Sequence, residues 1–394
     1  MNSLKEDFLK FQAKTNPYPL SLEIKKAKGS YITTTDGKKY LDFVAGVSAC
    51  SLGHLHPKVT RSIKNQIKKY MHVMVYGEFV QAPAVNLCKE LLELLPKNQE
   101  TVYLTNSGTE AIEGALKLAK KATGRIELIG AYNSYHGSTQ GSLSLLGSEN
   151  QKKGYGPLLP ETKFIKYNDN SELEKITKKT AAVLLETIQG GAGFIVPDIN
   201  YLQNVKSKCE SMGALLILDE IQPGFGRTGR FFGFEHFNVQ PDIVVMGKGM
   251  GGGLPIGAFS SSYKLMKCFQ DKPKLGHITT FGGNPVIASA ALATLRVLRD
   301  SELMSQIKTK ETLFRNELKH PKIIELTGMG LMLAAIVKNS DMVDKIIEEC
   351  LERGVLLFRL LWKKNALRIS PPLTISEREI KKGCKIIREV LNTL

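Results

Sequence analysis

In the middle of the chain, short apolar runs alternate with amphipathic runs. This alternation restricts the possible fold classes more than any other feature of the sequence. Between Thr101 and Met246 the apolar runs have the length of strands, and helix-like stretches follow several of them. The run Ala214–Leu218 is almost continuously apolar, which is typical of a strand buried on both faces. The pattern predicts an α/β fold with a mostly parallel sheet covered by helices.

The two ends of the chain predict a second, smaller unit. The first 30 residues are polar, and Pro17 and Pro19 argue against a helix there, whereas residues 31–44 indicate a hairpin. Past residue 285, long helical patterns give way to short strands and a last helix. The predicted parts are an N-terminal segment (1–50) that packs with the small domain, a large domain (51–292) and a small C-terminal α+β domain (293–394).

Composition excludes several classes of protein. With 42% hydrophobic and 23% charged residues in 394, a large core can form. No apolar run approaches the roughly 18–20 residues of a membrane span, and the charged N-terminus lacks the pattern of a secretory signal. The six cysteines are scattered without C-x-x-C spacing, so we expect no metal site and no disulfide framework, and we expect a cytoplasmic protein.

The net charge of +16 raises the question of nucleic-acid binding. The lysines are scattered along the chain apart from small pairs, and aromatic residues do not alternate with them as a base-stacking surface requires. We therefore interpret the charge as solvated surface and expect neither a nucleic-acid partner nor a membrane.

An acidic pair follows the buried strand, in the run Leu218-Asp219-Glu220. Ligands of open α/β sheets bind beyond the carboxyl ends of the strands, so Asp219 is placed to hold a cationic ring nitrogen. At ~4 Å and an effective dielectric of ~20 such a pair is worth about 4 kcal/mol. A lone aspartate at this position is equally compatible with a helix N-cap.

Lys248 follows the apolar run 243–247 and precedes a glycine-rich stretch, Gly249–Gly253. A lysine in such surroundings can lose its proton and attack a carbonyl to form a Schiff base. A surface lysine in a loop is the simpler interpretation of this residue alone. A nucleotide-binding glycine loop fits poorly, because Pro255 stands where the helix of that motif should begin.

Two further segments, 107–109 and 135–136, add groups that could bind the same ligand as Asp219 and Lys248. Ser107, Gly108 and Thr109 lie between a predicted strand and a helix, where free backbone N–H groups suit a phosphate ester, although they also suit a plain N-cap. Tyr135 and His136 offer aromatic rings that could stack on a flat cofactor or pack in the core. A phosphate cradle, a stacking ring, a ring-nitrogen carboxylate and a Schiff-base lysine together describe pyridoxal 5′-phosphate.

The sequence resembles the class III, subgroup II aminotransferases of the fold-type I pyridoxal-phosphate enzymes, over almost its whole length. The resemblance lies in ordered motifs that include N-S-G-T-E-A, L-D-E-I-Q-P-G-F-G-R-T-G, G-K-G-M-G-G-G-L-P-I-G-A, T-F-G-G-N-P and L-R-I-S-P-P-L. It is strongest to the acetylornithine and ornithine aminotransferases, which move an ω-amino group to 2-oxoglutarate and give a semialdehyde and glutamate.

The resemblance implies roles for matching positions. Lys248 is implied to form the Schiff base with the cofactor and to move the proton of the substrate carbon. Asp219 is implied to keep the ring nitrogen protonated, and Arg368 to bind a substrate carboxylate. The enzymes of this family build their sites across a homodimer interface. The other implied cofactor contacts are Ser107, Gly108, Thr109, Tyr135, His136, Glu186, Gln222 and, from the neighbouring subunit, Thr280.

Three positions depart from the acetylornithine and ornithine pattern. Ser138 stands where those enzymes usually carry an arginine for the α-carboxylate of the donor. Gly191 replaces a glutamate that normally covers the carboxylate-binding arginine while an ω-amine reacts. Val47 stands where ornithine-specific enzymes tend to have a tyrosine, which favours an acylated or apolar tail.

Two enzymatic hypotheses follow. One is an ω-aminotransferase of the acetylornithine/ornithine type; the other is a class III transaminase for another donor, such as 4-aminobutyrate, lysine, a diamine or an alanine-type amine, with an α-keto acid acceptor. A binding or regulatory protein on the same fold should have lost Lys248, Asp219 or the phosphate cradle, and all are present. A dehydrogenase would need a complete nucleotide fingerprint.

Overall fold

The structure is a computed structural model that describes residues 3–394. Its strands are β1 (Ile24–Lys28), β2 (Tyr31–Thr34), β3 (Lys39–Asp42), β4 (Thr101–Thr105), β5 (Glu127–Ala131), β6 (Thr162–Ile165), β7 (Thr180–Glu186), β8 (Leu215–Asp219), β9 (Ile243–Gly247), β10 (Gly257–Ser261), β11 (Glu325–Met329), β12 (Met332–Ile336), β13 (Val355–Leu356), β14 (Phe358–Arg359) and β15 (Ala366–Ile369). Its helices are α1 (Leu4–Phe11), α2 (Ala45–Ser48), α3 (Pro57–Ile67), α4 (Ala82–Leu92), α5 (Gly108–Thr123), α6 (Gln140–Ser144), α7 (Glu149–Lys152), α8 (Tyr201–Met212), α9 (Tyr263–Met266), α10 (Pro285–Asp300), α11 (Ile307–Glu317), α12 (Ser340–Glu352) and α13 (Glu377–Thr393).

A seven-stranded sheet with the order β4-β10-β9-β8-β7-β5-β6 forms the centre of the fold. Neighbouring strands are parallel except at β10, which pairs antiparallel with both β4 and β9. Every residue of β7 and β9 is buried, as expected for strands covered on both faces. The prediction of a mostly parallel sheet in an α/β fold is therefore confirmed.

Helix α5 shows how the sequence fixes this arrangement. Ser107 caps its N-terminus by accepting a hydrogen bond from the backbone N–H of Glu110, and Gly124 ends it in the left-handed conformation. Its apolar side chains Ile112 and Leu116 are buried in one cluster with residues of the central strands. The helix therefore starts directly after β4, with its N-terminus at the carboxyl edge of the sheet.

The chain ends meet in two smaller sheets. Strands β1, β2 and β3 form one sheet with β13 from the C-terminal part, because β13 pairs parallel with β3. Strands β11, β12, β15 and β14 form the other. The N-terminal hairpin thus shares a sheet with the C-terminal part. The boundaries at residues 50 and 292 stay predictions, and the second falls inside α10.

The structure contains elements that the sequence did not predict, among them one helix and one strand of the central sheet. A helix, α1, occupies residues 4–11, where none was predicted; Ser3 and Glu6 form a capping box, and the helix ends before the prolines at 17 and 19. Strand β10 was also missed. Its run Gly-Ala-Phe-Ser-Ser has a single large apolar side chain, which gives no clear strand periodicity.

Over residues 3–394, the helices all lack the length or the apolar character that crossing a bilayer demands. The same residues contain no cluster of three or more histidine, cysteine, aspartate or glutamate side chains suited to a metal ion.

Candidate active site

Three neighbouring strands of the central sheet end at one edge, and each delivers a charged side chain there. Strand β7 ends at Glu186, β8 at Asp219, and β9 at Gly247, directly before Lys248. Glu186 and Asp219 are register partners in the parallel β7–β8 pair. Because carboxyl ends of parallel strands lie side by side, residues far apart in sequence meet at this edge.

Asp219 is a buried carboxylate with two fixed partners. Its Oδ1 accepts a hydrogen bond from the backbone N–H of Ile221 at 2.9 Å, and its Oδ2 lies 2.8 Å from Nδ1 of His136. Nε2 of His136 is buried without a hydrogen-bond partner in the described residues. The histidine therefore orients the aspartate and leaves a polar atom available at the cavity wall.

Glu186 lies next to this pair. Its two oxygens accept hydrogen bonds from the backbone N–H groups of Tyr135 (3.2 Å) and Gly190 (3.0 Å). Burial raises the pKa of Glu186 to about 7, although the nearby His136 and the two N–H donors oppose the shift. A carboxyl group with this pKa exchanges a proton near neutral pH.

Lys248 is held in an uncommon backbone conformation at the same edge. Its φ is +44°, in the left-handed region that non-glycine residues rarely adopt, and such strain is typical of functional positions. Burial lowers the pKa of Lys248, and the charge of Arg368 adds to this, whereas Asp219 and Glu186 oppose it. The amine is thus pushed toward its neutral, nucleophilic form.

The start of α5 forms a narrow cradle. A Cβ on Gly108 would lie 2.8 Å from Cδ1 of Ile221, and a Cβ on Gly137 would lie 2.2 Å from Oγ1 of Thr109. Oγ1 of Thr109 is 2.7 Å from the hydroxyls of both Thr139 and Ser142. Small residues and hydroxyls at a helix N-terminus suit an anionic group.

Arg368, on β15, also lines this cavity. It is 4% exposed, and its Nε and Nη1 have no hydrogen-bond partner among the described residues. The guanidinium lies over the ring of Phe194, with its Cζ 5.4 Å from the centroid. Burial lowers the pKa of Arg368 to about 10, yet it stays charged at neutral pH.

All these groups line one cavity of about 700 Å³. The structure brings eleven of the thirteen predicted site residues to its wall and leaves out two, Ser107 and Thr280. The eleven are Val47, Gly108, Thr109, Tyr135, His136, Ser138, Glu186, Asp219, Gln222, Lys248 and Arg368.

The two residues outside the cavity have separate environments. The side chain of Ser107 caps α5, which is the simpler of the two interpretations of this residue. Thr280 is exposed, in the segment between α9 and α10. Its predicted role belongs to a neighbouring subunit, so it stays a prediction.

Polar side chains at the rim form few contacts. The hydroxyl groups of Tyr135 and Ser138 are 3.3 Å apart, and Nε2 of Gln222 donates to Oγ of Ser48 at 3.3 Å. Val47 is 40% exposed and has a φ of +60°, a conformation that is costly for a β-branched residue. Val47 lines the cavity in this conformation.

Phe358 and Leu361 form an apolar rim that no sequence pattern predicted. They line the cavity and are 45% and 48% exposed. Phe358 is the register partner of Arg368 in the antiparallel β14–β15 pair, so both side chains lie on the same face. The run F-R-L-L-W carries no motif, and only the strand pairing brings it to the site.

The cavity fits the cofactor predicted from the sequence. The buried carboxylate of Asp219 suits a protonated ring nitrogen, and the cradle at Gly108 and Thr109 suits a phosphate. The unpaired Nε2 of His136 adds a buried polar atom at the same wall. Lys248 supplies an amine for an aldehyde, so the ring nitrogen, the phosphate and the aldehyde of pyridoxal phosphate would each have a chemically matched partner.

Comparisons with known proteins find similar enzymes. The family model described as aminotransferase class-III matches residues 12–391. An acetylornithine aminotransferase from Caldanaerobacter subterraneus is 37% identical over 96% of this chain and 96% of its own length. One from Methanocaldococcus jannaschii is 36% identical over 95% and 94%.

A solved structure has the same architecture. The ornithine aminotransferase from Toxoplasma gondii, crystallised in the presence of oxidised glutathione, superimposes with a TM-score of 0.91 at 31% identity. The match covers 99% of this chain and 94% of that one, whose active site shows partial occupancy of pyridoxal phosphate.

Proposed function

The chain belongs to the class III aminotransferases, which are pyridoxal-phosphate enzymes, and from this premise we propose that it moves an ω-amino group to 2-oxoglutarate. The products are glutamate and a semialdehyde, as in the acetylornithine and ornithine type. The observation that carries the proposal is the meeting of Lys248, Asp219 and Arg368 in one cavity. An amine, a carboxylate and an unpaired guanidinium are the groups that such an exchange requires.

Bound pyridoxal phosphate supplies an aldehyde that takes up and releases the amino group, and an electron-withdrawing ring. In our proposal Asp219 keeps the ring nitrogen protonated and His136 holds Asp219 in place. Gly108 and Thr109 would bind the phosphate, and Tyr135 would offer its ring to that of the cofactor. Gln222 would serve the phenolic oxygen, and Glu186 would support the polar atoms around it.

Lys248 has two tasks in this scheme. Its Nζ would hold the aldehyde carbon of the cofactor, and once free the same Nζ would act as the base that accepts and carries the proton of the substrate carbon that bears the amino group. Both tasks need a neutral amine. The pKa of Lys248 is lowered by burial, which supports this assignment.

Arg368 orients the substrate. A carboxylate that accepts two N–H groups from a guanidinium gains direction as well as energy. Nε and Nη1 of Arg368 are buried and unpaired within residues 3–394, so a ligand carboxylate would satisfy them. The keto acid and glutamate both carry such a group.

We further propose a cytoplasmic homodimer. The six cysteines are free in the described part of the chain, which suits a reducing compartment. Met71, Phe79, Val80 and Phe281 are more than half exposed, and a partner subunit would cover such apolar side chains. Thr280, outside its own cavity, would then reach the phosphate of the partner's site.

A single-turnover screen tests the donor. The holoenzyme is mixed separately with N-acetylornithine, ornithine, 4-aminobutyrate, lysine, alanine and glutamate, and the change of the cofactor's visible band is followed. We expect fast conversion by N-acetylornithine and by glutamate. Lys248→Ala is the control, and it should lack both the band of the attached cofactor and the conversion.

The screen also separates the two hypotheses. Slow conversion by both ornithine compounds, together with fast conversion by another amine, would contradict the proposed donor. The other hypothesis, a class III transaminase for that amine, would then replace it, and the departures at Ser138 and Gly191 would mark a changed donor pocket.

A further inference from the structure

A carboxylate on α5 caps a neighbouring helix beside the predicted phosphate cradle. Oε1 of Glu113 accepts hydrogen bonds from the backbone N–H groups of Gly141 (2.8 Å) and Ser142 (3.1 Å), in the first turn of α6. Within residues 3–394, the side chain of the N-cap residue Thr139 makes no capping hydrogen bond of its own. Glu113 therefore satisfies backbone donors that have no partner inside α6.

The same oxygen of Glu113 is connected to the cavity through hydroxyl groups. Oγ1 of Thr139 donates to Oε1 of Glu113 at 2.5 Å. Oγ1 of Thr109 lies 2.7 Å from the hydroxyl oxygens of both Thr139 and Ser142, which are themselves 2.9 Å apart. Thr109 lines the cavity and is four residues before Glu113 on α5, so both side chains lie on one face of the helix. Three hydroxyls thus lie in mutual contact between the carboxylate and the cavity.

The carboxylate of Glu113 sets the direction of donation among these hydroxyls. A hydroxyl has one hydrogen and a carboxylate only accepts, so the hydrogen of Thr139 is taken by Glu113. Oγ1 of Thr139 can then only accept from Thr109 or Ser142. When Ser142 donates to Thr109, the hydrogen of Thr109 is free for an anion in the cavity, and every hydroxyl hydrogen has an acceptor.

Close packing holds these groups in one arrangement. A Cβ on Gly141 would be 2.1 Å from Oε2 of Glu113, and a Cβ on Gly137 would be 2.8 Å from Oγ of Ser142. The side chain of Ser142 is buried. Removal of the carboxylate would therefore release both the start of α6 and the hydroxyls that contact Thr109.

We propose that Glu113 is a positioning residue for the cofactor, because it holds the hydroxyls of Thr139 and Ser142 so that Thr109 donates to the phosphate. The inference rests on the proposed binding of the phosphate at this cradle and not on the identity of the amine donor. Its effect is confined to ligands that carry a phosphate, since the hydroxyl network ends at Thr109. Pyridoxal, which has the same ring and aldehyde without the phosphate, is the matched probe.

The affinity for the cofactor tests the proposal. The holoenzyme of each variant is dialysed against a series of pyridoxal phosphate concentrations, and the bound fraction is read from the visible band; the series is repeated with pyridoxal. Glu113→Ala should weaken binding of pyridoxal phosphate at least about tenfold, and that of pyridoxal by no more than about threefold. Glu113→Gln should stay within about threefold of wild type for both, since its amide oxygen accepts the same hydrogen bonds. Glu348→Ala, at an exposed position of α12, is the surface control and should change neither affinity.

Further variants test the route through the hydroxyls. Thr139→Val combined with Ser142→Ala removes two hydroxyls and keeps both backbone hydrogen bonds to Glu113, and it should weaken binding of pyridoxal phosphate selectively, by at least about fivefold. In a Thr109→Val background, Glu113→Ala should add less than about threefold, because both changes interrupt one network. Equal losses for pyridoxal phosphate and pyridoxal, or fully additive losses, would overturn the proposal.

The outcome is separable from the failure of the proposed function. The affinities are measured without an amine, so a donor screen in which no amine is converted contradicts the proposed function alone. If amines are converted but Glu113→Ala binds pyridoxal phosphate as tightly as wild type, only the inference about Glu113 fails. Circular dichroism of each variant checks that the fold is retained; if Glu113→Ala does not fold, the combined change at Thr139 and Ser142 decides.

Discussion

At the scale of single residues, the electrostatics of the site depend on Asp219. The carboxylate is 3% exposed and held by Ile221 and His136, so its charge acts in a poorly solvated place. At ~4 Å and an effective dielectric of ~20, one charge pair is worth about 4 kcal/mol, or roughly a thousandfold in rate. Because Ile221 and His136 hold the carboxylate in place, little of this free energy is spent on reorienting it during the reaction.

Asp219→Asn should therefore reduce the transamination rate constant at least about a hundredfold, because the amide keeps the size of the side chain and removes its charge. The single-turnover rate of conversion by glutamate, followed at the visible band of the cofactor, measures the effect. The control is Asp341→Asn, at an exposed position in the first turn of α12 that does not line the cavity, which should retain nearly full activity. A loss below tenfold would show that the charge of Asp219 contributes little.

At the scale of elements, helix α13 packs so closely on the N-terminal part that it has room only for glycine at one position. A Cβ on Gly383 would lie 2.3 Å from Cζ of Phe43, whose ring is itself packed edge-on against Phe314 at 5.3 Å. The aromatic pair is buried and cannot move freely. Close packing at this point joins the two ends of the chain.

Gly383→Ala should lower the free energy of unfolding by about 1–3 kcal/mol through overpacking. Helix propensity alone predicts the opposite sign, a gain of roughly 1 kcal/mol. Thermal or denaturant unfolding decides between them. Lys381→Ala, at an exposed position on the same helix, should change stability by no more than about 0.5 kcal/mol. A stabilised Gly383→Ala protein would contradict close packing between Gly383 and Phe43.

Strands with a strong apolar pattern could be predicted from sequence, and strands without one could not. β8 and β9 are apolar runs that end at charged or glycine residues, so both their position and their role at the site were predictable. Strand β10 has Gly, Ala and Ser at four of five positions, and it forms because two neighbours offer ladder partners. The helix α1 is short and has no buried residue, so no apolar periodicity marked it.

The residues of the site also divide into those that the sequence could predict and those that it could not. Lys248, Asp219 and Arg368 lie in motifs, whereas Phe358 and Leu361 lie in a run without one. Their position follows from the pairing of β14 with β15 and from the backbone hydrogen bonds to Gly191. Such contacts depend on tertiary structure, and a single sequence does not reveal them.

At the scale of the whole molecule, the dependence of stability on pH follows from a few buried groups. Burial raises the pKa of both Glu186 and Glu220 to about 7. The folded state therefore holds their protons more tightly than the unfolded chain does. Their contribution to the free energy of unfolding is fully present below about pH 4.5, the ordinary pKa of a glutamate, and is lost as the pH rises through about 7.

The pair His54–Asp42 extends this loss to higher pH. Nε2 of His54 lies 2.8 Å from Oδ2 of Asp42, and this hydrogen bond, together with Cys50, raises the pKa of His54 to about 10. A raised histidine pKa gives stability that is complete below the unfolded value of about 6.5 and disappears as the pH rises through 10. Both kinds of group therefore make the protein less stable toward alkaline pH.

His54→Gln isolates the second contribution. With the cofactor bound to both proteins, the melting temperature of the wild type should exceed that of His54→Gln by at least about 2 °C at pH 6. This difference should shrink steadily toward pH 10. Differences between the two proteins cancel the titration of Glu186 and Glu220, which is common to both. The control His320→Gln, at a ring beside Asn392, should show no such trend. A gap that stays constant or widens with pH would mean that His54 is not held as a cation by Asp42 in the folded protein.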